Sequence, residues 1–295
     1  MSQDAPLVSF VIPCYNHEAF IYQTLDSIRD DLHTNKEILL LDDGSTDNSV
    51  LEVKRWIRDN PQVNIQLFEQ KNSGVVPAIN KLVGWSKGDY IRLFSSDDLN
   101  IPDSTTKLLL AIVKDGKYEA AFGDATVVDE AGVVVCTSAI QFQKKNKEIY
   151  RKDLGRALIM EWGVSGPCIL YSRKGFFDVL GGYNETLAIE DWYSYLKFHS
   201  MGKIRFIDEN VVFYRVHNSN SSRTPDSAKR LKNQQSHLDT INLVLPLFEG
   251  REKEFLLCKS LLTVAKMRYL RSEYVSSGWS LLNYFLHYLR NVVRY

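Results

Sequence analysis

The chain has 295 residues, of which 44% are hydrophobic and 12% aromatic, so it can bury a large core and is expected to be globular. Its 36 Lys and Arg residues balance its 36 Asp and Glu residues, so the overall charge does not indicate a nucleic-acid partner. The balance is uneven along the chain, because residues 226–295 contain 11 basic and 6 acidic residues, a net charge of +5.

The cysteines and the hydrophobic runs indicate where the protein works. Four cysteines lie far apart and form no CxxC pair, which argues against a zinc site or a disulfide framework and fits reduced thiols. The first residues lack the basic and then apolar pattern of a signal peptide. No window of about 18 uncharged apolar residues is found, as a membrane-spanning helix requires. We therefore expect a cytoplasmic protein.

The first hundred residues alternate between strand and helix patterns. LVSFVIP (7–13) and KEILLLDD (36–43) are short apolar runs typical of buried strands, and residues 18–32 between them carry Phe20, Ile21, Leu25, Ile28 and Leu32 at helical spacing. The alternation continues with a helix at 49–59, a strand at 63–69, a helix at 75–86 and a strand at 89–94. This order predicts an α/β fold with a mostly parallel sheet flanked by helices.

Four polar clusters follow four of these apolar runs. They are Pro13–Asn16, Asp42–Ser45, Asn72–Gly74 and Ser95–Asp98. Any one of them is explained by a turn or a helix N-cap. Ligands bind beyond the carboxyl ends of the strands in such sheets, so four clusters at that edge predict one ligand-binding crevice.

The adjacent carboxylates Asp97 and Asp98 need either water or a cation, because two like charges so close together repel each other. Common nucleotide motifs are missing: no GxGxxG follows the first strand and no GxxxxGK[ST] occurs. A dinucleotide oxidoreductase or a P-loop phosphotransferase is therefore disfavoured. A phospho-receiver or phosphohydrolase also places acids after strands, but this chain is longer than a receiver and its carboxylates recur at two strand ends.

Five segments, in this order, resemble the signature of family-2 glycosyltransferases: VSFVIPCYN, LLLDDGSTDNS, NSGVVPAIN, SKGDYIRLFSSDD and ETLAIEDW. The resemblance spans about residues 7–220. It implies a GT-A fold, which is Rossmann-like, with inverting transfer of a sugar from a UDP-, GDP- or TDP-linked donor to an acceptor hydroxyl. It also implies Mg²⁺ or Mn²⁺ as cofactor. A UDP-sugar is the first expectation for the donor, and a saccharide or lipid-linked saccharide for the acceptor, in surface polysaccharide or lipid-linked oligosaccharide synthesis.

The resemblance implies roles for residues of the four clusters. Asp43 would accept a hydrogen bond from the base, while Pro13 and Tyr15 would shape the wall against which the base packs. Asp42 would either orient its loop or join Asp43 at the ligand. The remaining candidates for binding the nucleotide sugar are Asn16, Asn72, Gly74, Ser96 and Asp97.

Asp97 and Asp98 would hold the cation that bridges the two phosphates. The family's Asp-x-Asp begins with a carboxylate where this chain has Ser95, so one ligand is missing or replaced by water. The same departure leaves open a binding or scaffold protein that keeps a degenerate transferase fold.

Later residues complete the expected site. In GGYNETLAIEDWYSYLKF (181–198) the resemblance makes Asp191 the general base that takes the acceptor's proton. The other explanation for this acidic segment is a helix start, since acids are favourable there. In VVFYRVHNSNSS (211–222) it makes Arg215 a partner for the diphosphate and His217 a metal or phosphate ligand.

The end of the chain predicts a helical extension, so we divide the protein into a GT-A catalytic domain at 1–222 and a helical region at 223–295. Helices are expected at 227–244, 252–274 and 280–293, separated by Pro246, Gly250 and Gly278. The last has an apolar face formed by Leu281, Leu282, Phe285, Tyr288, Leu289 and Val292. This face would pack on the catalytic domain or on a second subunit of a homodimer, or rest peripherally on the inner face of a membrane.

Overall fold

The computed structural model describes residues 5–164, 166–218, 220 and 226–291. The strands are β1 (Val8–Cys14), β2 (Lys36–Asp42), β3 (Ile65–Glu69), β4 (Tyr90–Leu93), β5 (Leu99–Asn100), β6 (Ala120–Val128), β7 (Val134–Cys136), β8 (Ile169–Ser172) and β9 (Ile204–Arg215). The helices are α1 (Ile21–Arg29), α2 (Ser49–Asp59), α3 (Val75–Trp85), α4 (Ser104–Val113), α5 (Ala139–Phe142), α6 (Lys147–Lys152), α7 (Leu154–Met160), α8 (Arg173–Gly175), α9 (Glu190–Ser200), α10 (Ser227–Val244), α11 (Gly250–Leu270) and α12 (Tyr274–Asn291).

The chain forms two units, which are described separately. The first consists of the described parts of Met1–Lys144, Gly163–Tyr183 and Gly202–Val216 and contains the sheet. The second consists of the described parts of Lys145–Trp162, Asn184–Met201 and His217–Tyr295 and is helical. The predicted division at 222/223 falls among residues 221–225, outside the described residues, and stays a prediction.

The first unit is built on one mixed sheet with the strand order β3-β2-β1-β4-β8-β6-β9-β5, to which β7 adds by pairing with β6. The first four strands are parallel, as the sequence predicts. Antiparallel β8 then joins β4 to β6, while β6 and β9 are parallel. The sheet therefore continues well beyond the predicted β-α-β units.

Strands β1 and β2 form the centre of the core. Phe10, Val11 and Ile12 are 0% exposed, and Ile38–Leu41 are no more than 1% exposed. Such continuous apolar runs are typical of parallel strands covered on both faces, and each fully buried side chain contributes roughly 1.5–3 kcal/mol. Cys14 pairs with Asp42 in the register of these strands, so the polar residues after each strand emerge side by side.

Helix α1 is shorter than the sequence predicts. It buries Ile21, Leu25 and Ile28 as expected, but Phe20 precedes the helix and Leu32 is 54% exposed beyond its end. The backbone N–H of Leu32 donates to the carbonyl of Pro102 at 2.6 Å, so the chain has already left the helix there. Further along the chain, Gly166–Cys168 form a 3₁₀ turn.

In the second unit, the start of α9 is fixed by two neighbouring segments. The indole of Trp192 is completely buried and donates from Nε1 to the carbonyl of Leu158 at 2.8 Å. On α10, the Ser236 hydroxyl accepts the N–H groups of Ala188 and Ile189, each at 3.0 Å. These bonds hold in place the turn from which Glu190 and Asp191 project.

Helix α12 packs on α11 through polar side chains. Ser277 Oγ donates to the carbonyl of Ala265 at 2.9 Å, and His287 Nε2 lies 2.7 Å from a carboxylate oxygen of Glu254. Gly278 lies inside this helix, so the expected break there was wrong: its neighbours keep the chain helical although glycine lowers helix propensity by about 1 kcal/mol.

The apolar side chains of α12 point away from α11. The exposed fraction is 78% for Val275, 64% for Trp279 and 62% for Phe285, and Leu282 and Leu289 are also exposed. The apolar face expected from the sequence is therefore present but uncovered within the described chain, apart from Val292, which lies outside the described residues. Among the residues the structure describes, no helix combines the length and hydropathy needed to span a bilayer.

Candidate active site

The first two polar clusters are bonded to each other at the ends of β1 and β2. Asn16 donates its backbone N–H to Ser45 Oγ at 2.9 Å, and its side-chain oxygen accepts the N–H of Thr46 at 2.8 Å. Asn16 has a φ of 55°, in the left-handed region that asparagine enters more readily than most residues. The loop after β1 is thus shaped to meet the loop after β2.

Asp42 orients its own loop. Its carboxylate accepts the N–H groups of Gly44 and Ser45 at 3.1 and 2.9 Å and the Ser45 hydroxyl at 2.5 Å. Gly44 has a φ of 76°, and a Cβ on it would come within 2.8 Å of the backbone nitrogen of Asn72. Only glycine lets the second cluster approach the third this closely.

Asp43 ties the second cluster to the third. One carboxylate oxygen accepts the N–H of Ser73 at 2.8 Å and Gln70 Nε2 at 2.7 Å, and the other accepts the N–H of Gly74 at 2.8 Å. Gly74 is the N-cap of α3, so the negative charge also lies at the favourable end of that helix. Asp43 is 4% exposed.

The remaining candidates of these clusters differ in exposure. The Tyr15 ring is 46% exposed and Asn72 is also exposed, while Pro13 is half-buried. Between Pro13 and Tyr15, Cys14 is buried, and burial raises the pKa of its thiol to about 12. Tyr15 therefore offers an open aromatic face beside an unreactive thiol.

The fourth cluster, after β4, is joined to the first by a residue that the sequence analysis missed. His17 Nδ1 lies 2.7 Å from Ser96 Oγ, and His17 Nε2 lies 3.8 Å from a carboxylate oxygen of Asp97. His17 follows Asn16 directly, so extending the first cluster by one residue would have found it. The structure thus brings all four predicted clusters together at one edge of the sheet.

Asp98 faces the interior. It is 1% exposed, its Oδ1 accepts the backbone N–H of Arg215 at 2.8 Å, and its buried Oδ2 has no hydrogen-bond partner among the described residues. Burial, followed by the charge of Asp97, raises the pKa of Asp98 well above its ordinary value, although the bond from Arg215 opposes the shift. Asp97, at 9% exposure, is the more accessible carboxylate of the pair.

The side chain of Arg215 is hydrogen-bonded inside the first unit. Its Nε donates to the carbonyl of Asp97 at 2.9 Å, and its two terminal nitrogens donate to the carbonyl of Glu130 at 2.8 Å and to Gln23 at 3.0 Å. The guanidinium also stacks 4.9 Å from the Phe20 ring centroid, and the residue is 1% exposed. These contacts do not favour the expected role of Arg215 in binding the diphosphate, because its guanidinium is already hydrogen-bonded inside the protein, where it holds the Asp97–Asp98 turn.

In the second unit, Glu190 and Asp191 open α9 as an adjacent acidic pair. Both are half-buried, and the Asp191 carboxylate accepts the N–H of Trp192 at 2.7 Å. Burial raises the pKa of Asp191 to about 6, while burial and then the charge of Asp191 raise the pKa of Glu190 to about 8. At neutral pH the pair therefore carries one shared charge, held mainly on Asp191, which suits an acid–base role.

His217, also in the second unit, is 8% exposed. Its backbone N–H donates to Asn220 Oδ1 at 2.7 Å, and its Nε2 lies 3.1 Å from Asn220 Nδ2. Asn220 therefore fixes the orientation of the imidazole ring.

Curated proteins similar to this chain are bacterial glycosyltransferases. A chondroitin synthase of Escherichia coli is 27% identical over 241 residues, which cover 80% of this chain and 32% of that protein. A chondroitin synthase of Pasteurella multocida is 27% identical over 219 residues, covering 74% of this chain and 21% of that protein. The chain spans about a third or less of the length of these relatives.

Two solved structures share the fold. A mannosyltransferase of Pyrobaculum calidifontis, in complex with GDP-Man and Mn²⁺, has a TM-score of 0.65 at 18% identity, covering 97% of this chain and 74% of that one. S. aureus TarS in complex with UDP-GlcNAc also has a TM-score of 0.65 at 18% identity, covering 88% of this chain and 72% of that one. These likenesses establish the GT-A fold with a helical extension.

The sequence model of the family described as "Glycosyl transferase family 2" matches residues 9–179, which is more than half of the chain. That span includes the four clusters joined at the strand ends. The chain belongs to glycosyltransferase family 2.

Proposed function

We propose that this glycosyltransferase transfers a sugar from a nucleoside-diphosphate donor, a UDP-sugar in the first instance, to an acceptor hydroxyl with inversion at the anomeric carbon. The observation that carries the proposal is the joining of Asp43, His17, Ser96 and Asp97 at one sheet edge. The nucleotide sugars named with the two similar structures, UDP-GlcNAc and GDP-Man, support this class of donor.

The nucleoside would lie against the exposed ring of Tyr15, beside Pro13. A base stacked on an aromatic ring gains roughly 1–3 kcal/mol in nucleotide sites. Asp43 keeps the loop of Asn72 and Gly74 in place with bonds from Ser73 and Gly74, and has lone-pair capacity left on Oδ2 for an N–H of the base. Asn16 holds the opposite loop through its bond from Thr46.

A divalent cation fits the side chains beside Asp97. Carboxylate oxygen is a donor that suits Mn²⁺, and the imidazole of His17, a common metal ligand, already lies 3.8 Å from the Asp97 carboxylate. By the family resemblance, we assign His217, which follows Arg215 by two residues in the sequence, as a third ligand. When bound, the ion would neutralise charge on the departing diphosphate.

Asp98 serves this arrangement in one of two ways. As a direct ligand it would have to lose its proton and turn Oδ2 out of the interior, against a raised pKa. As a positioning residue it would fix the turn at Arg215, as its bond to that backbone N–H favours. We place metal binding first on Asp97.

Asp191 would act as the general base. The acceptor oxygen attacks the anomeric carbon as its proton passes to the Asp191 carboxylate, and the bond from that carbon to the diphosphate oxygen breaks, which inverts the centre. The pKa of about 6 for Asp191 leaves it ionised at neutral pH, while the pKa of about 8 for Glu190 keeps that neighbour protonated. The pair thus supplies one base near the working pH.

The acceptor would be a saccharide, free or lipid-linked, in polysaccharide or lipid-linked oligosaccharide synthesis. The names of the relatives from Pasteurella multocida and Escherichia coli, which are polysaccharide synthases, support this assignment.

The uncovered face of α12 supports a role at a membrane surface. The helix exposes Trp279 and Phe285, contains no Asp or Glu, and carries Arg290 near its end. Apolar burial, interfacial aromatic side chains and basic residues together favour binding in the plane of an anionic bilayer.

Phe285→Asp should release the protein from anionic vesicles, whereas Asn283→Asp, a matched exposed site, should weaken binding much less. A concentration-dependent dimer that Phe285→Asp dissociates would assign the face to a second copy instead.

The experiment that tests the donor proposal is thermal unfolding with UDP, GDP or TDP, each with and without Mn²⁺. A ligand at a hundred times its dissociation constant should stabilise the protein by about 2.7 kcal/mol. Release of the nucleotide from a panel of sugar donors then identifies the donor. The proposal fails if none of the three nucleotides stabilises the protein under either condition.

A further inference from the structure

The imidazole of His17 is held by contacts at both its backbone and its ring. The backbone N–H donates to Ser49 Oγ at 2.8 Å, and the carbonyl accepts the N–H groups of Phe20 and Ile21 at 3.0 and 2.9 Å. The ring meets the Phe20 ring edge-on at 6.1 Å, and its Nδ1 lies 2.7 Å from Ser96 Oγ. The side chain is still 20% exposed, so an ion from solvent can reach it.

Ser96, the partner of the His17 ring, is itself fixed by helix α1. Thr24 Oγ1 donates to the Ser96 carbonyl at 3.1 Å, and Ser27 Oγ, one turn later on the same face of α1, accepts the N–H of Asn100 at 2.9 Å. Thr24 is 0% exposed and Ser96 is 2% exposed, so water cannot replace the bond between them. The segment after β4 is therefore fixed relative to the imidazole.

The second ring nitrogen of His17, Nε2, lies 3.8 Å from a carboxylate oxygen of Asp97. This separation is too long for a hydrogen bond, but both atoms can bind one divalent cation, whose ligand atoms lie about 2.0–2.6 Å from it. When Ser96 Oγ accepts the proton of Nδ1, the neutral ring carries its lone pair on Nε2, beside Asp97. Histidines that bind metals are oriented by such a bond from their other nitrogen.

The nitrogen atom lies where the site is short of carboxylates. The family's first acid is replaced by Ser95, and Asp98 is 1% exposed and bonded to the N–H of Arg215. Mg²⁺ is bound through oxygen ligands, whereas imidazole suits transition metals, whose affinity for a given site rises from Mn²⁺ through Fe²⁺ to Co²⁺. A nitrogen donor in place of an oxygen donor should therefore lower the affinity for Mg²⁺ relative to that for Co²⁺.

We propose that His17 is a metal ligand that selects a transition-metal ion over Mg²⁺, and that Ser96 is the positioning residue that orients its ring. The inference rests on the metal site of the proposed function and adds which ions that site accepts. Nε2 of His17 and a carboxylate oxygen of Asp97 bind the ion together, and the imidazole takes the place of the acid that is missing at Ser95.

The first experiment measures metal selectivity without turnover. Mn²⁺ bound to the full chain, with and without UDP, is followed by electron paramagnetic resonance while Mg²⁺ or Co²⁺ is titrated as competitor at constant pH and ionic strength. We expect the wild type to bind Co²⁺ at least tenfold more tightly than Mg²⁺. In His17→Asp, which exchanges nitrogen for oxygen, the ratio of the Mg²⁺ and Co²⁺ dissociation constants should fall at least tenfold.

The control for the selectivity is a second histidine of the first unit. The ring of His33 bonds the carbonyls of Pro6 and Asn35, so His33→Gln should leave the ratio unchanged. The same ratio in His17→Asp as in the wild type, or no Mn²⁺ binding to the wild type with or without UDP, would overturn the proposal.

The second experiment measures the orienting role of Ser96. In the ¹⁵N-labelled protein without metal at pH 8, long-range ¹H–¹⁵N spectra distinguish a proton on Nδ1 from one on Nε2, and the signal lost in His17→Asp belongs to His17. We expect the proton on Nδ1 in the wild type. Ser96→Ala should move it toward Nε2 and weaken Mn²⁺ binding at least tenfold, as loss of an orienting partner does. Ser96→Thr, which keeps the hydroxyl, should restore both.

A matched serine controls for loss of a buried hydroxyl. Ser86 is 3% exposed and bonds Val83 and Arg173, so Ser86→Ala should change neither the spectrum of His17 nor Mn²⁺ binding. If Ser96→Ala is too unstable to measure, Thr24→Val, which removes the donor to the Ser96 carbonyl, carries the same test. A His17 proton on Nε2 in the wild type would overturn the role of Ser96.

The last arm separates this inference from the proposed function. Nucleotide release from a panel of sugar donors is measured with Mg²⁺, Mn²⁺ or Co²⁺ for the wild type and His17→Asp. Selective metal binding through His17 without turnover of any donor would leave the inference standing and count against the proposed function. Turnover that is equally fast with Mg²⁺ and Co²⁺ in both proteins would support the proposed function and overturn the selectivity assigned to His17.

Discussion

Asp42 and Asp43 in the first unit and Glu190 and Asp191 in the second are both pairs of adjacent acids, but their surroundings differ. Asp42 accepts three hydrogen bonds from its own loop, and Asp43 accepts three from the segment Gln70–Gly74. In the second pair, burial raises both pKa values, to about 8 for Glu190 and about 6 for Asp191. Carboxylates that accept several hydrogen bonds fix the conformation of loops, whereas acids with raised pKa values can exchange protons near neutral pH.

The largest expected effect is on the second pair. Asp191→Asn removes the proposed base but keeps the size of the side chain, so turnover should fall about 100-fold or more while the dissociation constant of UDP stays within about twofold. Steady-state rates and calorimetry check this. Glu185→Gln, an exposed acid five residues before Glu190, is the matched control. A parallel loss of UDP affinity and turnover would contradict the role as base.

In the first pair, Asp43→Ala should act through the fold. The N–H groups of Ser73 and Gly74 would lose their acceptor, at a cost of about 1–3 kcal/mol in the free energy of unfolding. UDP affinity should fall with and without Mn²⁺. Urea denaturation measures the stability, and Asp178→Ala, from a surface pair with Lys174, should change it by less than about 0.5 kcal/mol. Unchanged stability in Asp43→Ala would show that the loop does not depend on this carboxylate.

The carboxylates after β4 extend the comparison to the metal. Asp97→Asn should weaken Mn²⁺-dependent UDP binding by about tenfold, equivalent to 1.4 kcal/mol. Asp98→Asn should weaken it less, because the amide oxygen can still accept the N–H of Arg215 and mimics the protonated acid. UDP titrations with and without Mn²⁺ compare the two variants. Equal losses would make Asp98 a ligand of the same rank as Asp97.

The smallest effect concerns pH and stability. The folded protein holds the Glu190 proton up to a pKa of about 8 whereas the unfolded chain loses it near 4.5, so this group stabilises the fold at low pH and the stabilisation is lost as pH rises through that window. The Tm of Glu190→Gln should therefore rise relative to that of the wild type as pH increases from 5 to 8.5. A Tm difference that is independent of pH would mean that Glu190 does not titrate there.

The sequence predicts local features well, because apolar periodicity depends only on residues that are close together in the chain. The parallel strands β1 to β4 and the helices between them follow from it, and so do α10 and α11 within a few residues. The clustering of the four polar segments follows from the rule that parallel strands end at the same edge.

Contacts distant in sequence were not predictable. The bond from Arg215 to Asp98 joins residues 117 positions apart. Whether the Arg215 guanidinium is buried therefore depends on how β9 pairs in the sheet. The same holds for α12: periodicity predicts its apolar face but not which way the face points, because a packed helix and an uncovered one share the pattern. Its polar bonds to α11 decide the direction.

The buried thiol of Cys14 has a consequence for the working conditions of the enzyme. With a pKa of about 12, roughly one molecule in 10⁵ carries the thiolate at pH 7, and the thiolate is the form that peroxide and alkylating reagents attack. Although Cys14 lies directly beside the proposed base-stacking residue Tyr15, oxidative stress should not reach the nucleotide site through it. Sugar transfer is therefore expected to continue under oxidising conditions that inactivate enzymes with a reactive cysteine beside the nucleotide site.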